Sequence, residues 1–432
     1  MAARLMNRRI VLVGAAALAG SVRPQAHADA GATPPAVLRC AEFLDAVGVN
    51  IHVAYVKTAY DDPARLLAAM RYVGVRHARD AAPYSLRPNA DRYAKLAAEG
   101  ILFCFGWGPN RPMANAIAEL GALEETHPGA VHALEGPNEI SRAYAYGGLT
   151  GLAAAQTFMT DLRTAVSADR RLRGKSLVSF TSYAAAAADC DFANWHPYPK
   201  AGVQPGPLIR KRRDECVGAD GVMPGKPMMF TEFGYHTLVG KPARPGQWQG
   251  VDETTQAILT LNGLFEAAAV AISRTYLYEL MDQRPDGASP PSQERHFGLF
   301  HFDGSPKPAA QSLKTLTGLL ADPAPRARTF TPGAAGASMV LPPSAGSLQL
   351  ETASGRRLVV LWNRSPVWNP DAMGPATVSP VAVVATFGKP TRVAATDLVD
   401  PGQNVEFPPA RSVKIQLGAH PLLLDVTQAR AE

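Results

Sequence analysis

Between residues 48 and 279 the chain repeats one pattern: a short apolar run, then a helical stretch or a loop, then another apolar run. These short apolar runs read as strands, and their alternation with helical stretches argues for parallel βα units. Such strands belong to parallel sheets covered by crossover helices. The runs fall at 48–53, 75–79, 101–107, 131–135, 177–181, 192–196, 227–232 and 275–279. Apolar residues recur at helical spacing over 63–72, 91–98, 254–269 and 307–320, which predicts helices there. Asp61 and Asp62 precede Pro63 as N-terminal caps, with the proline in the first turn. The fifth and sixth runs stand too close for a full helix, so that unit is expected to be degenerate. Eight strands in sequence predict an α/β chain folded as a (β/α)8 TIM barrel, with a doubly wound open sheet as the alternative.

The pattern changes near residue 322. Beyond it, β-rich runs at 338–341, 347–351, 358–362, 381–386, 392–396, 413–417 and 422–426 are separated by Pro and Gly, with few helical patterns. They predict a C-terminal antiparallel β-sandwich over 323–432. The total of 432 residues suits a barrel of roughly 250 residues plus a smaller domain. The barrel is placed at 31–322 and a secretory signal peptide at 1–30. Arg4, Arg8 and Arg9 precede an apolar run at 10–20, and small residues around 26–30 suit a signal peptidase. The Arg8-Arg9 pair and Arg23 point toward twin-arginine export, to the periplasm or the outside. That run is too short for a lasting membrane span, and no later segment is apolar enough for one.

The net charge of +6 is spread thinly, and its one dense cluster, Arg210 to Arg213, is followed at once by Asp214 and Glu215. A nucleic-acid partner is therefore not expected, while attraction to an acidic polysaccharide stays open. Cys40, Cys104, Cys190 and Cys216 lack Cys-x-x-Cys spacing, so no zinc site is expected. Cys104, between Phe103 and Phe105, reads as a small core residue, and Cys190 and Cys216 flank one loop and are candidates for a bridge. No His-Glu-x-x-His and no complete phosphate loop occurs, so the expectation is no metal and no cofactor. The sequence is silent on oligomeric state.

Chemistry in a barrel belongs at the C-terminal ends of its strands. Candidate groups gather there: Arg79 and Asp80 after the second strand, Trp107 at the third, and Asn138 and Glu139 after the fourth. His196 and Tyr198 follow the sixth, Glu232 ends the seventh, and Tyr278 and Glu279 end the eighth. Two glutamates on two strand ends are the minimum equipment for cleaving a glycosidic bond.

The strings Gly136-Pro137-Asn138-Glu139 and Thr231-Glu232-Phe233-Gly234 resemble those of the clan A glycoside hydrolases. His196-x-Tyr198 and the tract from Phe297 to Pro308 look like the clan too, so the resemblance covers about 45–320. The sandwich is similar in kind to those of family 39 and its relatives, including exopolysaccharide endoglycosidases. The resemblance implies a retaining hydrolase acting on a polysaccharide or oligosaccharide, with Glu139 as acid/base and Glu232 as nucleophile. One departure stands out. Many clan members carry tryptophan at the end of the eighth strand, where this chain has Tyr278-Glu279.

In these roles the donor's pKa is expected to be raised by neighbouring negative charge, and hydrogen bonds hold the nucleophile ionised. Tyr198 or Arg79 would donate to Glu232. Asn138 would bind the sugar 2-hydroxyl, His196 would orient its corner or touch Glu139, and Trp107 would offer a face to a sugar ring. Tyr278 and Glu279 complete the expected substrate contacts. Each has a rival reading: a helix-cap carboxylate for Glu139, an ion pair for Glu232 or Arg79, a structural role for His196, and core for Trp107. Glu279 either binds substrate or caps the barrel rim, His52 reads as structural, and Glu135 is expected to point away from the site. Two other functions compete: a sugar-binding barrel without catalysis, and a barrel enzyme of non-glycosidic chemistry.

Overall fold

The computed structural model describes residues 37–82, 89–107, 112–186, 189–240, 242, 245–285 and 291–428. The expected signal segment at 1–30 lies outside these residues. The chain folds as a (β/α)8 barrel with a C-terminal antiparallel β-sandwich. The barrel strands β1 to β8 are Val47–Asn50, His77–Ala82, Leu102–Trp107, Val131–Pro137, Ser176–Val178, Ala193–Asn194, Met228–Phe233 and Arg274–Leu277. They pair in parallel from β1 to β5 and from β6 to β8, and β8 pairs with β1. A parallel bridge from Val178 to Phe192 closes the circle between β5 and β6.

The outer helices α1 to α7 are Pro63–Tyr72, Ala90–Ala98, Met113–Thr126, Gly151–Ala168, Gly206–Val217, Glu253–Ala269 and Pro308–Leu320. Among the described residues no helix separates β5 from β6. Asp62 caps α1 by accepting from Ala64 N, with Pro63 in the first turn. Asp252 caps α6 through Thr255 N at 2.6 Å, and α6 is buried continuously from Thr255 to Ala267. A helix buried all round needs no polar face, which explains its Ala/Leu-rich composition.

Inside the barrel, Cys104, Ala133, Val178, Met229 and Tyr276 form one apolar layer. Gly48 faces this layer because a Cβ there would come within 2.3 Å of the Tyr276 ring. The candidate bridge between Cys190 and Cys216 does not form. Both cysteines are unbridged and buried, and Cys190 Sγ lies 3.9 Å from Met223 Sδ.

The chain divides into two compact units, 43–319 with Trp368–Ala376, and the remainder. In the second unit the strands β9 to β14 are Ser338–Val340, Ala345–Glu351, Arg357–Asn363, Val381–Asp397, Asn404–Leu417 and Leu422–Gln428. The runs at 381–386 and 392–396, expected as two strands, are one long strand. Its register shifts between Thr386 and Thr391, so it pairs with β9 before the shift and with β14 after it. Val359, Leu361, Val383, Ile415 and Leu424 fill the core of this unit. Leu38–Arg39 adds a strand parallel to β10. Trp368–Ala376 forms a short hairpin whose Trp368 Nε1 donates to Gln249 in the barrel unit. No helix among the described residues is long and apolar enough to cross a membrane.

The N-terminal rim of the barrel carries a charged knot. Asp45 pairs with Arg76 at 2.6 Å, His77 at 3.1 Å and Arg274 at 3.2 Å, and Arg274 also reaches His132. Burial would raise the Asp45 carboxyl, but hydrogen bonds from His77 and Arg76 outweigh it and hold it well below its usual range. Burial holds His77 down at about 4, so the folded protein keeps neutral an imidazole that the unfolded chain protonates near 6.5. Both groups therefore withdraw stability as pH falls, His77 between 6.5 and about 4 and Asp45 below that. The thermal midpoint is expected to drop across this acid range. Asp45→Asn is expected to cost about 2–3 kcal/mol at neutral pH, because two arginines lose their counter-charge. A pH series of melting curves on both proteins checks this, and a variant as stable as the parent contradicts it.

Candidate active site

Glu139 follows β4 in a left-handed backbone conformation, φ +42°, which is costly for a residue with a side chain. Three backbone hydrogen bonds hold it there. Asn138 N donates to Trp107 O at 3.2 Å, Glu139 N to Thr181 Oγ1 at 2.8 Å, and Ile140 N to Thr181 O at 3.3 Å. The Glu139 side chain is half exposed and faces a cleft of about 920 Å³ at the C-terminal end of the barrel. Glu232, from β7, lies deeper, with its side chain 9% exposed.

Beneath them sits Arg79 of β2, nearly fully buried, with all its donors engaged. Its Nε and Nη2 fork onto Glu135 at 2.8 and 3.1 Å, Nη1 donates to Glu232 and Asn50, and Nη2 donates to Asn138 Oδ1 at 2.6 Å. Gly106 of β3 leaves room for this fork, since a Cβ there would lie 3.1 Å from Arg79 and 3.2 Å from Glu135. Tyr198 is the second donor to Glu232, at 2.6 Å. Its ring packs against Tyr278, Trp248 and Phe297.

Glu135 does not point away from the site. It lies buried below it and accepts from Arg79, from Asn194 Nδ2 at 3.1 Å and from Thr231 Oγ1 at 2.9 Å. Burial would raise its pKa, but the Arg79 charge and the His196 contact hold it at about 2. The period-2 alternation of strands held the signal for this. Ala133 faces the barrel interior, so Glu135, two residues on, faces it too.

His196 links the carboxylates. Its Nδ1 is 3.1 Å from Glu139 Oε1 and 3.6 Å from Glu232, and its Nε2 is 2.9 Å from Thr231 Oγ1. Burial opposes its charge, yet Glu232 and the hydrogen bonds to Glu135 and Glu139 push it up to about 9. A protonated ring donates from both nitrogens, and both here have acceptors. One consequence corrects the expectation for Glu139. Its hydrogen bond from His196 outweighs burial and lowers its pKa, so in the free protein the proton rests on His196. One ligand atom from each of Glu139, His196 and Glu232 lies within 4.8 Å of the others. A metal ion, if one bound, would find its ligands in this trio.

One expected substrate contact lies off the cleft, and another only just borders it. Glu279 is fully buried, pairs with His52 at 3.0 Å and accepts from Tyr60 at 2.9 Å. It cannot reach a ligand; it holds His52, which does line the cleft. Trp107 is 2% exposed and packs edge-on to Phe158, so its ring is core more than platform. Tyr278 lines the cleft between His52 and Phe297. Sequence reasoning missed the cleft residues Tyr55, Trp195, Lys200, Arg212, Trp248 and Glu294, which come from loops and from α5.

No protein-family model matches the chain, and no curated protein matches it in sequence. Solved structures do match. The GH51 arabinofuranosidase from Xanthomonas axonopodis pv. citri aligns with 91% of this chain and 98% of its own, at 11% identity and a TM-score of 0.58. A monomeric beta-xylosidase from Caulobacter crescentus CB15 aligns with 92% of this chain and 98% of its own, at 12% identity and a TM-score of 0.55. A GH2 beta-galacturonidase from Eisenbergiella tayi aligns with 63% of this chain at 16% identity and a TM-score of 0.48, and this chain covers 50% of that enzyme's length. At such identities the likeness is one of fold. The chain has the barrel-and-sandwich fold of glycoside hydrolases. The expected kinship with family 39 is not established by these neighbours.

Removing the Arg79 charge strands Glu135 in the interior. Arg79→Met is expected to destabilise the protein by about 3–5 kcal/mol, and the double variant with Glu135→Met by less, because no buried charge is then left alone. Denaturant titration of both variants checks this, and a double variant as unstable as the sum of its parts would refute the coupling.

Proposed function

We propose that the protein is an exported retaining glycoside hydrolase acting on a polysaccharide or oligosaccharide. The observation that carries this reading is the placement of Glu139 and Glu232 on one cleft, with carboxylate oxygens within 4.8 Å. Retaining enzymes hold their two carboxyl groups roughly 5–5.5 Å apart, whereas inverting enzymes leave room for a water between them.

The two glutamates stand in different surroundings. Glu232 accepts from Arg79 and Tyr198, which fix its carboxylate at the cleft in position for nucleophilic attack. Glu139 is half open to the cleft and one hydrogen bond from the His196 proton. In the first step Glu139, having taken that proton, protonates the glycosidic oxygen while Glu232 attacks the anomeric carbon. The leaving group departs as an alcohol and a glycosyl ester remains on Glu232. In the second step Glu139, now ionised, takes a proton from water as the water attacks the same carbon and frees Glu232. Because Asn138 Oδ1 accepts from Arg79, its Nδ2 is left to donate to a sugar 2-hydroxyl. Residues 1–30 support the export part of this reading.

A 2-fluoro-glycoside panel followed by intact mass measurement and peptide mapping is expected to place a covalent adduct on Glu232. Glu232→Gln and Glu139→Gln are each expected to lower activity by at least about a hundredfold with the fold intact. Full activity in either variant, or a product of inverted configuration, sinks the assignment. Dialysis against EDTA is expected to leave activity unchanged. The alkaline limb of kcat/KM is expected near pH 9, where His196 loses the proton it shares with Glu139. His196→Asn is expected to move that limb, and an unmoved limb would show that His196 does not hold the proton.

A further inference from the structure

The loop leaving β6 runs Trp195-His196-Pro197-Tyr198-Pro199-Lys200. Its prolines limit the backbone, and its side chains divide between two tasks. His196 and Tyr198 reach the glutamates, while Trp195 and Lys200 line the adjoining cleft wall. Arg212, in the middle of α5, lines the same cleft and stacks its guanidinium 4.4 Å over the Trp195 ring. Lys200 Nζ stands 5.0 Å over the Trp248 ring.

These two cations differ from the others in the cleft. Arg79 is committed to Glu135 and Glu232, and His196 to Glu139. Lys200 has no carboxylate partner among the described residues. Arg212 gives Nη1 to Glu215 at 2.6 Å, but its Nε is buried without a hydrogen-bond partner. The two remaining cleft carboxylates, Glu294 and Asp80, are both shifted toward their neutral forms, chiefly by burial. A neutral glycan needs aromatic faces and hydroxyl partners, and these cations set against indoles would be desolvated by it without return. A hexuronate offers both halves of the match on one ring: an apolar face for the indole and a carboxylate at the ring edge for the cation.

We propose that the cleft takes an acidic glycan, with Lys200 and Arg212 meeting a uronate carboxylate beside the bond held at Glu139 and Glu232. This rests on the glycosidase reading for cleavage but not for binding. The test compares polygalacturonate, alginate and glucuronoxylan with their carboxyl-reduced forms, in which a neutral hydroxymethyl group replaces each carboxylate. At least one acidic polymer is expected to be cleaved with kcat/KM about tenfold or more above its reduced form at low salt, an advantage that fades as salt rises. Lys200→Met, at an exposed position, is expected to collapse that preference toward parity, and Lys200→Arg to restore it. Equal cleavage of acidic and reduced polymers, or an unchanged preference in Lys200→Met, overturns the proposal and leaves the glycosidase reading standing. If no polymer is cleaved, the glycosidase reading is the one in trouble, and affinity electrophoresis of the full chain decides the present one. Stronger retention by an acidic polymer than by its reduced form upholds it, and equal or absent retention overturns it.

Discussion

One buried guanidinium organises the upper half of the barrel. Arg79 carries a full charge in a place with almost no solvent, so it must be answered by charge and by acceptors in the right directions. Glu135 from β4 and Glu232 from β7 supply the charge, and Asn50 from β1 and Asn138 after β4 supply further acceptors. The cluster thus ties four strands together at the level where chemistry would occur. Of its two carboxylates, only Glu232 has an edge on the cleft. The same contact that stabilises the fold therefore sets the position of the residue best placed to attack.

His196 performs a parallel task one level higher. Three carboxylates surround it and raise its proton affinity, which in turn lowers that of Glu139. The pair shares one proton across a 3.1 Å contact, with the Thr231 hydroxyl passing the other side of the ring down to Glu135. Charge at the site is thus held in an alternating stack: Glu135 negative, Arg79 positive, Glu232 negative, His196 positive, Glu139 negative. A bound sugar that displaced water from Glu139 would favour moving the proton from imidazole to carboxyl, since burial disfavours the ionised pair.

Much of the fold was legible because its signals are local. The eight strands, their order and the α1 cap rest on buried runs, spacing and an Asp-Pro pair. The weakness of the fifth unit followed from chain length alone. What escaped had no local signature. The helices α3, α4 and α5 mix Gly, Ala and charged residues in ways that blur the apolar stripe. The long β12 strand spans a Gly-Lys-Pro interruption that reads as a break, yet its register shift lets it continue. Trp368–Ala376 reads as a polar, Pro-bearing loop, but Trp368 needs cover and finds it at Gln249, far away in sequence.

The candidate site divides the same way. By itself the sequence determined that two glutamates, an asparagine, a histidine, a tyrosine and an arginine stand at strand ends, because strand order and the rule for barrel ends need only neighbouring residues. Tertiary structure decided which of these face the cleft and which lie under it. It buried Glu279 against His52 and Tyr60, turned Trp107 into core, and brought Glu135 beneath the site. It also decided where the protons sit, since the charge on His196 comes from carboxylates on β4 and β7 that only barrel closure brings together. The reason is one of range. Backbone preference and apolar spacing act over a few residues, whereas electrostatic energy depends on distances between groups that the chain separates by tens of residues and the fold sets within a few ångströms.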